Sequence, residues 1–177
     1  NDIWDLGTEN DTVLGQVSDL PITTSYEQFD ASTTASGMER LFAYLKQNFP
    51  NAKIGFIINY NCCGGGFDSD KFRDEFAPMA RAVCEKWEIP YLDLVNNDAF
   101  NAEFSSEIGS HTYDGVHANQ AGYEVLTSYI SQWMGGMIGV QVPSMEELIP
   151  QPATEASEQD SDLLAYASIA WNPAEWG

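Results

Sequence analysis

The sequence has few basic side chains and a large excess of acidic ones. Seven Lys and Arg residues stand against 27 Asp and Glu residues in a chain of 177, which gives a formal net charge of -20 at pH 7. The basic residues all lie between Arg40 and Lys86. Nucleic acids and anionic membrane surfaces reward clustered positive charge, so neither is an expected partner. The acidity is typical of a solvated surface, and selection of uncharged or cationic substrates is the second interpretation.

Long apolar runs and a metal-binding cysteine pattern are also missing. No run approaches the roughly 20 apolar residues that a membrane-spanning helix needs, so no transmembrane segment is expected. Cys62, Cys63 and Cys84 form no CxxC or Cys/His spacing, so a zinc site is not expected. A bridge from the Cys62–Cys63 loop to Cys84 and buried free thiols are alternative interpretations. Hydrophobic residues make up 44% and aromatic residues 12% of the chain, which predicts a folded domain.

Apolar periodicity predicts helices that alternate with short strands. Helices are predicted over residues 36–49, over 69–87 and from about 119 to the glycine pair 135–136, strands over 53–60 and 91–95, and loops over 1–24 and 96–113. The first strand is nearly continuous in apolar residues, which is typical of a parallel strand covered on both faces. The order strand, helix, strand predicts a βαβ unit with a right-handed crossover.

The composition changes after Gly139. Pro143, Pro150 and Pro152 combine there with Glu and Ser residues and no basic residue, which indicates a linker. Two parts are therefore predicted: a folded domain over residues 1–138 and an acidic tail over 139–177. The apolar run 163–171 predicts either a short helix that docks back or a disordered end.

The segment Thr112-Tyr-Asp-Gly-Val-His-Ala-Asn-Gln-Ala-Gly-Tyr123 carries the clearest chemical signal. It enters the last predicted helix from a loop at the carboxyl-terminal side of the sheet, where open α/β sheets bind their ligands. Asp114 three residues before His117 can accept the Nδ1 proton and leave Nε2 free to take a proton from a hydroxyl. Gly115 permits the turn, and Asn119 or Gln120 can begin the helix. A bare Asp-x-x-His is more often a loop acid beside a surface imidazole, and the flanking residues reverse that preference.

The block Asp114-Gly-Val-His-Ala-Asn-x-x-Gly-Tyr123 closely resembles the last conserved block of the SGNH hydrolases, the GDSL-type serine esterase and lipase superfamily. In that family the Asp and His are two members of the catalytic triad, which implies these roles for Asp114 and His117. Asn1-Asp2-Ile-Trp4 is similar to the end of the family's Gly-x-Asn-Asp block, which implies that the Asn1 side chain donates to the oxyanion. The resemblance extends over about residues 1–137.

Two family motifs do not occur in the 177 residues. One is the Gly-Asp-Ser motif that carries the nucleophilic serine, and the other is the glycine that supplies a second oxyanion donor. In the family both precede the block that Asn1 resembles. We therefore expect the chain to be the C-terminal part of the domain. The implied fold is a three-layer α/β/α sandwich with a flavodoxin-like parallel sheet, truncated at its N-terminal strands and able to self-associate through an exposed sheet edge.

The resemblance implies hydrolysis of an ester by acyl transfer, with no metal or organic cofactor. The implied substrates are carbohydrate acetyl esters, short-chain acyl esters or lysophospholipids. A fragment without the nucleophile is expected to be inactive alone. The alternative is a non-catalytic α/β binding module or an esterase relative that has lost its nucleophile. Few lysines, strong acidity and the Pro/Glu/Ser tail favour an extracytoplasmic or secreted protein, with a cytoplasmic one as the alternative.

Two other residues could be mistaken for members of the expected catalytic site. Gly66-Phe-Asp-Ser69 contains an Asp-Ser pair after a strand, but Ser69 stands directly before a helical pattern. Asp68 or Ser69 as a helix N-cap is therefore the simpler interpretation. His111 has no aspartate at the matching offset and is interpreted as a loop residue.

Overall fold

The computed structural model describes residues 13–143, in which helices alternate with two short strands. A 3-10 turn at Tyr26–Gln28 is followed by α1 (Thr34–Asn48), β1 (Phe56–Ile58), α2 (Ser69–Lys71), a π-helical turn (Phe72–Phe76), α3 (Ala77–Lys86), β2 (Tyr91–Asp93), α4 (Asp98–Glu103) and α5 (Gln120–Ile138). The α2–α3 stretch is continuous, so a single helical region joins the two strands. The chain is therefore of the mixed α/β class.

The two strands form a parallel pair, as the βαβ pattern predicts. Phe56 pairs with Tyr91, Ile57 with Leu92 and Ile58 with Asp93. The amide of Phe56 donates to the carbonyl of Pro90 at 3.0 Å, and that of Leu94 donates to Ile58 at 2.9 Å. Because bonding direction alternates along a strand, Phe56 and Ile58 face β2, and the backbone groups of Ile57 face away from it.

Core residues gather on both faces of the strand pair. Phe56, Ile58 and Tyr91 pack into one cluster with α1 and α3, in which Trp87 and Phe42 are almost fully buried. Apolar residues of the opposite side form a second cluster with α4 and α5, which includes Ile57, Tyr60, Leu92, Leu94, Phe100 and Leu126. Side chains of successive strand residues point to opposite faces, so the continuous apolar runs supply both clusters.

A buried ion pair joins α1 to the end of α3. Glu39 is fully buried, and its carboxylate accepts hydrogen bonds from the Lys86 ammonium, from Trp87 Nε1 at 3.2 Å and from the Ser18 amide at 2.9 Å. Burial raises the pKa of Glu39, but the bonds from Lys86, Ser18 and Trp87 outweigh burial and leave the pKa below its ordinary value. The pair therefore fixes both helices and the segment that precedes α1.

Several predicted boundaries are wrong. The strands span three residues each and are shorter than the predicted 53–60 and 91–95. The predicted loop 96–113 contains α4, which Asn97 caps by accepting from the amide of Phe100 at 3.0 Å. The last helix runs through the glycine pair to Ile138 and ends at Gly139, which has a φ of 73°. Val142 packs over Gly135, where a side chain would not fit.

The cysteines are free thiols. Cys62 and Cys84 are buried, each in a different core cluster, and Cys63 is exposed. Of the two sequence alternatives, the bridge to Cys84 is therefore wrong. Burial raises the pKa of Cys62 to about 11 and that of Cys84 to about 12. No helix within residues 13–143 is long and apolar enough to cross a membrane. The predictions for residues 1–12 and for 144–177 lie outside the described residues.

Candidate functional site

The Asp-x-x-His segment lies in a loop between α4 and α5. This loop contacts the residues that directly follow β1. The amide of Cys63 donates to the carbonyl of Gly115 at 2.9 Å. The hydroxyl of Tyr60 donates to the carbonyl of Val116. Residues 60–63 follow the carboxyl-terminal end of β1, so the loop lies at the sheet edge where ligands of α/β proteins bind.

Asp114 and His117 are joined as a hydrogen-bonded pair. Nδ1 of His117 lies 2.8 Å from Oδ2 of Asp114. The other carboxylate oxygen accepts from the backbone amides of His117 at 2.8 Å and Val116 at 3.0 Å. The side chain of His117 is 74% exposed, and within residues 13–143 no group bonds to its Nε2. The imidazole is therefore oriented through Nδ1 and open at Nε2.

The same contacts keep Asp114 ionised. Hydrogen bonds from the His117 backbone amide, then from the His117 side chain and the Val116 amide, lower the pKa of Asp114 to about 2. An ionised carboxylate accepts only, so it selects the imidazole tautomer that carries its proton on Nδ1. That tautomer leaves Nε2 as an acceptor, which is the form that a general base requires.

Two glycines let the loop and the β1 exit approach each other closely. A Cβ on Gly64 would lie 1.9 Å from the carbonyl oxygen of Asp114, and a Cβ on Gly115 would lie 2.6 Å from the amide nitrogen of Gly64. Gly115 also has a φ of 84°, which L side chains rarely adopt. Any side chain at either position would displace the backbone that carries Asp114.

Asn119 and Thr112 close the loop on itself. Asn119 caps α5 by accepting from the amide of Gly122 at 3.0 Å, and its Nδ2 donates to the carbonyl of Ser110 at 2.8 Å. Thr112 is fully buried, and its hydroxyl accepts from the amide of Gly115 at 2.9 Å and donates to the carbonyl of Ser106 at 2.8 Å. The prediction that Asn119 or Gln120 begins the helix is confirmed.

The Asp68–Ser69 pair and His111, which could be mistaken for catalytic residues, have structural roles. Asp68 caps α2 by accepting from the amide of Lys71 at 2.9 Å, so Ser69 is a first-turn residue as the capping interpretation predicts. Nδ1 of His111 lies 3.1 Å from the amide of Ser105, and its ring stacks on Phe104 with centroids 5.3 Å apart. Asn1, the expected oxyanion donor, lies outside the described residues.

Sequence reasoning missed the positioning roles of Gly64, Tyr60 and Thr112. The run Gly64-Gly65-Gly66 is visible in the sequence as a glycine-rich loop, but its contact with Asp114 joins positions 50 residues apart and leaves no local pattern. Cys63 lies in the same loop, and its thiol donates to the carbonyl of Ser106 at 3.0 Å. Residues 13–143 contain no group of three or more His, Cys, Asp or Glu residues that could hold a metal ion.

Comparison with protein-family models, with curated proteins and with solved structures gave no significant match for this chain.

Proposed function

We propose that this chain provides the acid–base half of a serine-dependent ester hydrolase. The single observation that carries the proposal is the bond between Nδ1 of His117 and the carboxylate of Asp114, with Nε2 open to solvent. A surface imidazole needs no such bond, whereas a general base gains its tautomer and orientation from it. The resemblance of residues 114–123 to the SGNH block supplies the reaction class.

In the proposed reaction a serine hydroxyl attacks the ester carbonyl while Nε2 of His117 takes its proton. Asp114 stabilises the resulting imidazolium without becoming protonated. The Asn1 side chain donates to the oxyanion of the tetrahedral intermediate. The imidazolium then protonates the leaving alcohol, and a water molecule activated by the same imidazole releases the acyl group. The serine is assigned to a segment before Asn1, following the order of motifs in the family.

The proposal also includes the arrangement of the complete sheet. The two-stranded pair is the end of a wider flavodoxin-like sheet within a three-layer sandwich, and further strands add at the outer edge of β1, which no strand within residues 13–143 occupies. Two arguments support this placement. Sheets most often have about four to six strands, and the backbone groups of Ile57 face away from β2. The proposed substrates are esters of acetylated carbohydrates, short-chain acyl esters or lysophospholipids, and the proposed location is extracytoplasmic.

Turnover of p-nitrophenyl acetate by the polypeptide expressed from the start of its gene tests the activity. We expect His117→Ala to reduce kcat/KM by roughly a hundred- to ten-thousand-fold. His111→Ala is the matched control, since it removes the other imidazole of the same loop and leaves the Asp114 bond intact. Equal activity of the parent and His117→Ala would refute the proposal. Absence of turnover in every form would favour the non-catalytic binding module.

The 177-residue chain alone gives a complementary test. It is expected to hydrolyse the same ester slowly or not at all, because no Gly-Asp-Ser motif occurs in it. Turnover that disappears in Ser69→Ala would show that Ser69 is the nucleophile after all. Turnover that disappears in Cys63→Ala would instead assign the role to the thiol beside Gly115.

A further inference from the structure

A cavity lies at the amino-terminal ends of the two strands, opposite the end that carries Asp114 and His117. It has a volume of about 580 Å³, within the range of roughly 300–1,000 Å³ that small-molecule sites occupy. Its walls come from the loop between α1 and β1, the turn between α3 and β2, and the end of α5. The proposed ester chemistry uses none of these residues.

One wall of the cavity is apolar and open to solvent. Phe49 is 51% exposed although it is a large aromatic side chain. Ile54 and Met137 are half-buried beside it, and Ile89 forms the buried floor. Covering apolar area yields about 25 cal/mol for each Å² removed from water. This wall therefore favours a ligand that has an apolar part.

The cavity also gathers positive charge in a strongly acidic chain. Lys46 and Lys53, two of the seven basic residues, line it. The Lys46 ammonium donates to the carbonyl of Trp87. Lys53 is exposed and has neither a hydrogen bond nor an ion pair with any residue in 13–143. Glu88 is the one acidic residue of the lining, and it forms no ion pair with either lysine.

A strained turn shapes the rim. Glu88 has a φ of 52° and is the one non-glycine residue between 13 and 143 with a positive φ. Its amide donates to Glu85 at 3.2 Å, and the amide of Ile89 donates to Cys84 at 2.9 Å. This is the Schellman ending of a helix, in which glycine usually occupies the position of Glu88. The turn directs the carbonyl of Trp87 to Lys46 and Ile89 to the floor, and such strain often marks binding sites.

We propose that this cavity binds an amphipathic carboxylate, with its alkyl chain along Phe49, Ile54 and Met137 and its head group on the Lys53 ammonium. A carboxylate that accepts from an ammonium forms a charge-assisted bond, which is stronger than a bond between neutral groups. A cationic amphiphile would meet both lysines and is excluded by repulsion. The site acts independently of the ester-hydrolysing site, so its test needs no activity.

Titration of the polypeptide expressed from the start of its gene with sodium octanoate, followed by amide resonances in NMR spectra, tests the proposal. Saturable shifts are expected in residues 49–55 and 88–90, with none around Asp114. Lys53→Gln should weaken binding by about tenfold, the size of one charge-assisted bond. Phe49→Asn should weaken it as well, because the apolar wall is lost. Arg40→Gln is the matched control, since it removes the same charge from an exposed position outside the cavity.

Octylammonium chloride serves as the second probe. It should cause no saturable shifts at these residues. Equal binding of octanoate and octylammonium would overturn the proposal, because the lysines would then contribute nothing. An affinity for octanoate that is the same in Lys53→Gln and Arg40→Gln would overturn it too, as would shifts confined to other parts of the chain.

Discussion

Gly64 and Asp114 meet backbone to backbone, so closely that a Cβ on Gly64 would stand 1.9 Å from the carbonyl oxygen of Asp114. This contact holds the Asp114 loop against the chain that leaves β1. The amide of Cys63 reinforces it by donating to the carbonyl of Gly115. The orientation of His117 therefore depends on a glycine 53 positions earlier in the chain.

Gly64→Ala should displace the loop and disturb the His117 ring. We expect a loss of roughly 1–3 kcal/mol in the free energy of unfolding, which is typical of overpacking, and altered ring resonances of His117 in NMR spectra. Gly66→Ala is the control, because Gly66 has a φ of 77° but open space around its Cβ position. It should cost about 1 kcal/mol of local strain and leave the ring resonances unchanged. Identical spectra for both variants would contradict the contact.

Asp114→Asn should change the tautomer of His117 without removing the loop. In the parent the Nδ1–H form is expected, since the pKa of Asp114 is held at about 2 and the carboxylate can only accept. The carboxyl ¹³C shift of Asp114 should stay constant from neutral pH down to about pH 3 and change below it. In the variant, ¹⁵N spectra should show more of the Nε2–H form. A carboxyl ¹³C shift that changes between pH 4 and pH 6 would contradict the claim that hydrogen bonds hold the pKa of Asp114 at about 2.

Lys86→Met should destabilise the fold far more than an equivalent change at the surface. It leaves the buried carboxylate of Glu39 without its cation, which typically costs about 3–5 kcal/mol. Arg73→Met removes the same charge from exposed pairs with Asp70 and Asp74 and should change the free energy of unfolding much less, because water screens such pairs. Chemical denaturation at pH 7 measures both, and equal losses would contradict the role of the buried pair.

The difference in the free energy of unfolding between the parent and Lys86→Met should depend on pH. The pKa of Glu39 is lowered in the folded state, so its contribution is present above the ordinary value of 4.5 and is lost as the pH falls through the lowered pKa. Lys86→Met removes the largest of the contacts that lower this pKa, so protonation of Glu39 costs the variant less stability than it costs the parent. The difference in stability between the parent and Lys86→Met should therefore shrink as the pH falls below 4.5.

Between residues 13 and 143 no strand pairs with the outer edge of β1, so we expect the 177-residue chain to self-associate despite its negative charge. Residues 55–59 carry no charged side chain, and unpaired strand edges recruit other strands. Sedimentation should show oligomers or poor solubility, and Asn59→Lys should reduce them because an edge lysine opposes pairing. Asn48→Lys is the control with the same charge at the end of α1. A monodisperse monomer with a cooperative thermal transition would contradict both the association through this edge and the proposal of a wider sheet.

The elements that sequence reasoning identified are those with strong local signals. Apolar periodicity predicted α1, and Asp68 and Asn119 marked the starts of later helices because their side chains satisfy free amides. The Asp114–His117 bond followed from a spacing of three residues on a turn. Each of these signals lies within a few residues of the feature that it predicts.

The errors have tertiary causes. The strands are shorter than their apolar runs: Ile54 is half-buried against one core cluster and Tyr60 is buried in the other, both outside the strand pairing. The last helix continues through its glycine pair, and the close packing of Val142 on Gly135 leaves no room for a side chain there. The contact of Gly64 with Asp114 could not be predicted, because no local sequence pattern in either segment indicates that the two segments are close in space. Packing across the fold decided each of these points.

Active-site labelling tests the central claim most directly. The polypeptide expressed from the start of its gene is treated with a fluorophosphonate, and the labelled residue is located by mass spectrometry in the parent, His117→Ala and His111→Ala. We predict one labelled serine in a Gly-Asp-Ser segment before Asn1, with a labelling rate that falls roughly a hundred- to ten-thousand-fold in His117→Ala and is unchanged in His111→Ala. No labelled serine, or equal rates in the parent and His117→Ala, would contradict the assignment of His117 as the general base.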